Sequence, residues 1–259
     1  MIEKLRQGPG TWSRPKLSRI ENREQGVKRR ELDQLLDVYG VGDPALANWL
    51  RQLAGDSRRR GWLADVRKHL PPEFHQFLDW ETALVACRQF ETLLVPGLLQ
   101  TTEYARALIT GLDPGLSADE VERRVMARMA RQQILSQPIP PTLHVILGEG
   151  ALERPVGGER VMRKQLRHLV EATENPNIAI QVLPKTVGAS PALEGPFSIL
   201  TLPDPIPDIG YAEGPGRPDY IESRDEVRAY TLRFGALTEQ ALTQDESVRR
   251  LADSVRELE

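Results

Sequence analysis

Apolar residues recur at three- and four-residue intervals through most of the first 136 positions, a spacing that predicts helices. Leu17 and Ile20 sit three apart behind Ser13, a candidate N-cap, with Pro15 in the first turn and Arg14, Lys16, Ser18 and Arg19 pointing elsewhere. The next helix, Lys28 to Tyr39, should bury Leu32, Leu35, Leu36 and Tyr39, with Lys28, Arg29 and Arg30 at its start. Gly40-Val-Gly42-Asp-Pro44 breaks the pattern, and a domain boundary is placed there. A helix over about 44–58 follows, with Leu46, Leu50, Leu53 and Ala54 on one face, ending in Arg58-Arg-Arg-Gly61-Trp62. After Leu70-Pro-Pro72, the positions Phe74, Phe77, Leu78, Ala83, Leu84 and Ala86 predict one largely buried helix with Glu81 in its middle. Phe90 to Thr101 is an apolar loop, since Pro96-Gly97 forbids a continuous helix, and a helix at about 102–110 succeeds it. Ser117-Ala-Asp-Glu120 is a capping box that opens a helix running to about Ser136, with Val121, Val125, Met129 and Ile134 inward.

Beyond Pro138 to Pro141 the period shortens. Leu143 to Leu147, Ile178 to Leu183, Phe197 to Leu202, Ile209 to Glu213 and Tyr220-Ile221 are five candidate strands. One helix, about 158–174, lies between the first two and makes a parallel crossover plausible, while the later strands are close enough to pair as hairpins. Residues 224–258 are helical again, with a polar break before Val248, Leu251 and Val255. The fold class expected is α+β, a helical layer packed on a small mixed sheet of about five strands.

At 259 residues and 40% hydrophobic content, the chain can bury a full core and supply one large or two modest domains. No stretch approaches the roughly 20 apolar residues of a membrane span, and no signal peptide is visible, so a cytoplasmic protein without membrane association is expected. Cys87 is the only cysteine, which excludes an internal disulfide, and its setting in Ala83-Leu-Val-Ala-Cys87 marks a small core residue. The net charge of −3 conceals an asymmetry: residues 1–30 hold nine basic against three acidic side chains, and the rest holds 25 against 34. A local cationic segment on a mildly acidic body is the footprint of a phosphate-contacting module, although short basic runs are commonly just solvated.

The run Ser13-Arg-Pro-Lys-Leu-Ser-Arg-Ile-Glu-Asn22 followed by Gly26 to Gly40 resembles the back half of the Xre-type, lambda-repressor-like helix-turn-helix that opens a family of actinobacterial regulators. Ile2 and Leu5 fit the end of the scanning helix and Gly8 to Trp12 the turn, while the family's first helix has no counterpart; the resemblance therefore implies a partial helix-turn-helix at 1–40. It assigns DNA contacts to Arg14, Lys16, Ser18, Arg19, Arg23, Lys28, Arg29 and Arg30. A basic-faced helical pair without DNA function is the alternative. Residues 44–259 are similar to the companion domain of unknown function that follows the reader in the same family, through Arg60-Gly-Trp62, Glu81, Phe90-Glu91, Leu94-Val-Pro-Gly-Leu-Leu-Gln-Thr101, Tyr104-Ala-Arg-Ala107, Val121-Glu-Arg-Arg124, Arg128-Met129, Arg131-Gln132, Arg154 to Gly158, Gln165 to Leu169, Gln181 to Pro184 and Gly195-Pro-Phe197. Gly148 and Gly150 around Glu149, and Ser190-Pro191, depart from the usual pattern, so a pocket formed there would take a different ligand.

Candidate chemistry is sparse. Glu81 and Arg88, seven apart on the expected helix, would oppose a cationic stripe of Arg124, Arg128 and Arg131 with Gln132. Two readings stay open: a buried ion-pair network joining the helices, or a pocket in which an arginine takes an anionic ligand or a partner peptide. Glu149, with Arg154 and Gly157-Gly158 nearby, could line the same cavity. The pocket expected is therefore Glu81, Arg88, Arg128, Gln132 and Glu149. His69, His75, His144 and His168 lack metal-ligand spacing, and no phosphate-loop, nucleophile-elbow or dinucleotide fingerprint is present, so neither metal nor cofactor is expected. The reading favoured is a DNA-binding, dimeric transcriptional regulator whose second domain senses an anionic small-molecule effector or a small partner protein in an antitoxin-like arrangement. Its rival is a biosynthetic enzyme that reuses the companion fold after losing DNA binding.

Overall fold

The computed structural model describes residues 2–8, 11–21, 25–55, 66–70, 74–213 and 218–259. Two compact units divide the chain, the first holding the N-terminal helices and the second every strand.

In the first unit, α1 (Ile2–Arg6), α2 (Arg14–Glu21), α3 (Arg29–Tyr39) and α4 (Pro44–Gly55) each turn an apolar face inward. Leu5, Trp12, Leu17 and Leu35 form one cluster, with Ile2, Ile20, Val27 and Val38 against it. A second cluster joins Leu32 and Leu36 of α3 to Ala47 of α4, with Val41 and Leu50 alongside. The breaker at Gly40 to Pro44 is therefore a turn within this unit and not the domain boundary expected, because α3 and α4 need each other's apolar faces. Gly40 ends α3 in the left-handed region at φ 69°, which favours glycine. Tyr39, expected to be buried, is 47% exposed. Its hydroxyl donates to the Glu21 carboxylate, a bond that, with some burial, pushes the phenol up to about 12. The side chains of Leu53 and Ala54 and the motif Arg60-Gly-Trp62 fall outside what is described.

The second unit is a six-stranded mixed sheet with helices on both faces. Its strands are β1 (Ala86–Glu91), β2 (Thr142–Gly148), β3 (Ile178–Leu183), β4 (Phe197–Thr201), β5 (Ile209–Glu213) and β6 (Pro218–Ile221), in the order β3-β2-β1-β4-β5-β6. β1, β2 and β3 run parallel, and β4, β5 and β6 continue from β1 as antiparallel neighbours. Five strands match the short apolar runs of the sequence, and β2 and β3 are the parallel pair expected. β1 is new. The helix expected over 74–86 stops at Glu81 (α5, His75–Glu81), the chain turns at Thr82 and Ala83, and residues 86–91 become the central strand.

One face of the sheet packs on α10 (Arg224–Gln240), through Phe90, Ile146, Phe197, Ile199, Val227, Phe234 and Leu237. The other face carries Cys87, Val145, Leu147, Ile180, Ser198 and Leu200, the alternate positions of the same strands. Over it lie α5, α6 (Thr102–Leu112) and α7 (Ala118–Arg131), and α9 (Glu159–Ala172) is the crossover between β2 and β3, after the short α8 (Gly150–Glu153). α7 opens on the capping box of Ser117 and Glu120, as its sequence predicts, and runs into a 3-10 turn at Gln132–Ser136. The outer edge of β3 is closed by the start of α11 (Gln244–Glu257). Leu242 donates its N–H to the Val182 carbonyl, and the buried Ser247 hydroxyl accepts from the Val182 N–H, each at 2.9 Å.

Candidate functional site

Between α5, α6, α7 and the strands β1, β4 and β5 lies a cavity of about 140 Å³. Its deepest polar feature is an ion pair. Glu81, the last residue of α5, accepts from Arg131 Nε and Nη2 at 2.6 and 2.7 Å, a two-pronged pair only 2% and 6% exposed. The guanidinium also stacks on Phe74 and Phe77, 4.7 and 5.8 Å from the ring centroids. Burial of these charges is tolerable because both carboxylate oxygens are matched by the planar fork. The opposite charges expected to meet between Glu81 and the arginine stripe do meet, in the buried pairing.

One turn before, Arg128 donates from Nη1 to Gln100 Oε1 at 2.8 Å. Gln100 belongs to the loop Leu94 to Thr101, whose backbone would be stranded in an apolar setting without partners. Three buried or half-buried glutamines and a tyrosine supply them. Gln100 Nε2 donates to the Val95 carbonyl at 2.7 Å, Gln132 Nε2 to the carbonyls of Gly97 and Gln100 at 3.0 and 2.7 Å, and Gln165 Nε2 to the Leu99 carbonyl at 2.7 Å, while Gln165 Oε1 accepts from the Thr101 N–H at 2.7 Å. The Tyr104 hydroxyl accepts from the Val95 N–H. The motif is thus a rigid wall of the cavity.

Of the five pocket residues expected, Glu81 and Arg128 line this cavity and Gln132 braces its wall. Arg88 does not join them. On a helix it would share a face with Glu81, but on β1 it lies on the opposite face from Cys87 and Gln89 and pairs with Asp208 at 2.7 Å. Glu149 is also elsewhere, at the end of β2, where it accepts from the Lys185 N–H and from Arg250 Nε, each at 3.0 Å. Gly148 before it is explained by crowding, since a Cβ there would sit 3.0 Å from the Thr92 carbonyl oxygen. Missed from the sequence were Gln89, Glu91, Gln100, Ser198 and Tyr211, all of them lining residues. Cys87 also lines the cavity, and burial first, then the Glu81 charge, pushes its thiol up to about 12, which keeps it protonated and inert.

Glu149 supplies a pH signature. The Lys185 N–H holds its carboxyl below the ordinary value, burial opposes this, and Arg250 adds to the lowering. A depressed folded value contributes stability above the ordinary carboxylate range, and that contribution is lost as pH falls through the depressed value. Glu149→Gln should therefore cost about 1–2 kcal/mol at pH 7. The gap to the unaltered chain should narrow in urea titrations below about pH 4; a gap independent of pH would refute the assignment.

In the first unit the structure separates the DNA-contact candidates. Arg14, Ser18, Arg19, Lys28 and Arg30 are exposed. Lys16 is not: its ammonium donates to Glu31 Oε1 at 2.5 Å and to the Thr11 carbonyl at 2.8 Å, and lies 5.0 Å from the Trp12 ring centroid. It clamps α2 to α3, because Glu31 has turned back to accept from the Lys28 N–H at 3.2 Å. Arg23 and the side chain of Arg29 lie outside the described residues.

Among the described residues no helix is long and apolar enough to cross a membrane. No curated protein and no solved structure matches the chain. Residues 74–253, which take in the whole sheet and the cavity described above, match the sequence profile of a domain of unknown function, DUF5753. With well over half its length in that match, the chain belongs to the DUF5753 family.

Proposed function

We propose that this protein is a DNA-binding transcriptional regulator of the actinobacterial Xre type, acting as a homodimer, whose second unit senses an effector or a small partner protein. The observation that carries the reading is the division of labour in the first unit. Its apolar side chains are gathered inward around Leu17 and Leu35, while Arg14 and Arg19 of α2 and Lys28 and Arg30 at the start of α3 stay exposed. Exposed cations on a helix whose other side is already packed are what a duplex-reading surface requires. The concentration of nine basic side chains in the first 30 residues supports the same reading. Arg14 and Arg19 are assigned to base edges, and Lys28 and Arg30 to phosphates. Lys16, spent on Glu31, is withdrawn from the contact set.

Selection from a random duplex pool, followed by fluorescence anisotropy over a range of salt, tests this. A preferred sequence should emerge. Arg14→Ala and Arg19→Ala should each reduce discrimination by about 1–3 kcal/mol. Lys28→Ala and Arg30→Ala should weaken all duplexes alike and each flatten the salt slope by about one. Failure to enrich any sequence, or binding no tighter than to random duplex at low salt, would end the regulator reading.

A further inference from the structure

The cavity of the second unit has walls of two kinds. Across its floor, three uncharged polar side chains stand in one row: Gln89 of β1 is directly opposite Ser198 of β4, and Ser198 is directly opposite Tyr211 of β5. Residues opposite each other share a face, so the groups rise from neighbouring strands about 4.8 Å apart. Facing them are apolar side chains, among them Phe77, Leu94, Leu98 and Leu108.

The charged lining is balanced, with Glu81 and Glu91 against Arg128 and Arg131. Each of the four is already engaged within the protein: Glu81 with Arg131, Arg128 with Gln100, and Glu91 with the amide of Gln89. A cationic ligand would compete with Arg131 or the Gln89 amide for its carboxylate, and an anionic one with Glu81 or Gln100 for its guanidinium, so either charge acts against a contact already made within the protein. An uncharged ligand meets no such cost. The volume of about 140 Å³ is close to that of an engineered cavity that holds benzene, which sets the body of the ligand at about six to ten non-hydrogen atoms.

We infer that this cavity binds a small, uncharged molecule with an amide- or hydroxyl-bearing edge and an apolar body. The edge lies along the row of Gln89, Ser198 and Tyr211, and the body packs against Phe77, Leu98 and Leu108. This names the chemical class of the effector, and its regulatory meaning rests on the sensing role proposed above.

Benzamide, benzoate and benzamidine share one shape and differ in charge, so they decide the matter on the full chain without DNA. In protein-detected NMR titrations benzamide should saturate with a Kd on the order of 1 mM, as expected for so small a molecule. Benzoate and benzamidine should bind at least about tenfold more weakly, the penalty of a broken internal pair. Ser198→Ala and Ser198→Val should each weaken benzamide by about three- to tenfold, the worth of one neutral hydrogen bond, with Gln89 left in place because its amide also holds Glu91. Equal or tighter binding of benzoate or benzamidine overturns the inference, as does saturable binding by none of the three. If either variant fails to fold, the three-ligand comparison on the unaltered chain still decides. Adding benzamide to the DNA titration separates the two proposals: binding to the cavity with no change in DNA affinity leaves the ligand class standing and removes the sensing role.

Discussion

Arg131→Ala should destabilise the second unit by about 3–5 kcal/mol, because it leaves the Glu81 carboxylate buried with neither of its two donors. Arg131→Lys should recover little of this. A lysine ammonium keeps the charge but cannot match both oxygens or lie flat on Phe74. The informative variant is the double one. If Glu81 and Arg131 are replaced together by Leu and Met, stability should return to within about 1 kcal/mol of the unaltered chain or exceed it, since two desolvated ions have been exchanged for apolar packing. Urea unfolding followed by far-UV circular dichroism measures all three. A single-variant loss below about 1 kcal/mol would show that water reaches the pair and that the burial described here is wrong.

Phe234→Ala should cost about as much, about 3–5 kcal/mol, for a different reason. Phe234 is 4% exposed and stands edge-on to His144 of β2 at 5.0 Å and to Phe197 of β4 at 6.4 Å between centroids, so it fastens α10 to two strands at once. Truncation opens a void that the β2 and β4 side chains around it are held too firmly to fill. Leu232, two residues earlier on the same helix, is 67% exposed, and Leu232→Ala should change stability by no more than about 0.5 kcal/mol. Thermal or urea unfolding of the pair gives the contrast; similar losses at both positions would mean that α10 is packed on a different face.

The strands and helices that follow a single solvent boundary were legible in the sequence. α7 announces itself by its capping box, and β2 and β3 by continuous apolar runs, because each obeys one periodicity from end to end. β1 obeys neither. It is covered on both faces, yet Gln89 and Glu91 face a cavity and Arg88 faces Asp208, so its polar groups disrupt the apolar run that a doubly covered strand ordinarily shows. Mistaking it for a continuation of α5 placed Arg88 beside Glu81, when the strand's alternation sends it to the far side of the sheet. Glu81 and Arg128 could be singled out in the sequence, and they line one cavity, because an isolated charge amid apolar neighbours needs burial with a partner or a ligand, whatever element carries it. Gln100, Ser198 and Tyr211 gave no such signal, since a neutral side chain can be satisfied almost anywhere. The clamp of Lys16 on Glu31 was hidden for a related reason. The pair is fifteen positions apart on two helices, and only their packing angle brings them together.

β1 also shapes how the protein is made. Ala86 finds its partners at Thr142 and Thr201, 56 and 115 positions downstream, so β1 is the first strand of the sheet to leave the ribosome and the one that waits longest for its second neighbour. At elongation speeds of about 5–20 residues per second that is a wait of roughly ten seconds with unsatisfied edges. Gln89 and Glu91 of the cavity, with Arg88 on the opposite face, then have an expected use before the sheet closes: charge and amide on a bare strand discourage it from pairing with a neighbouring nascent chain until β4 arrives.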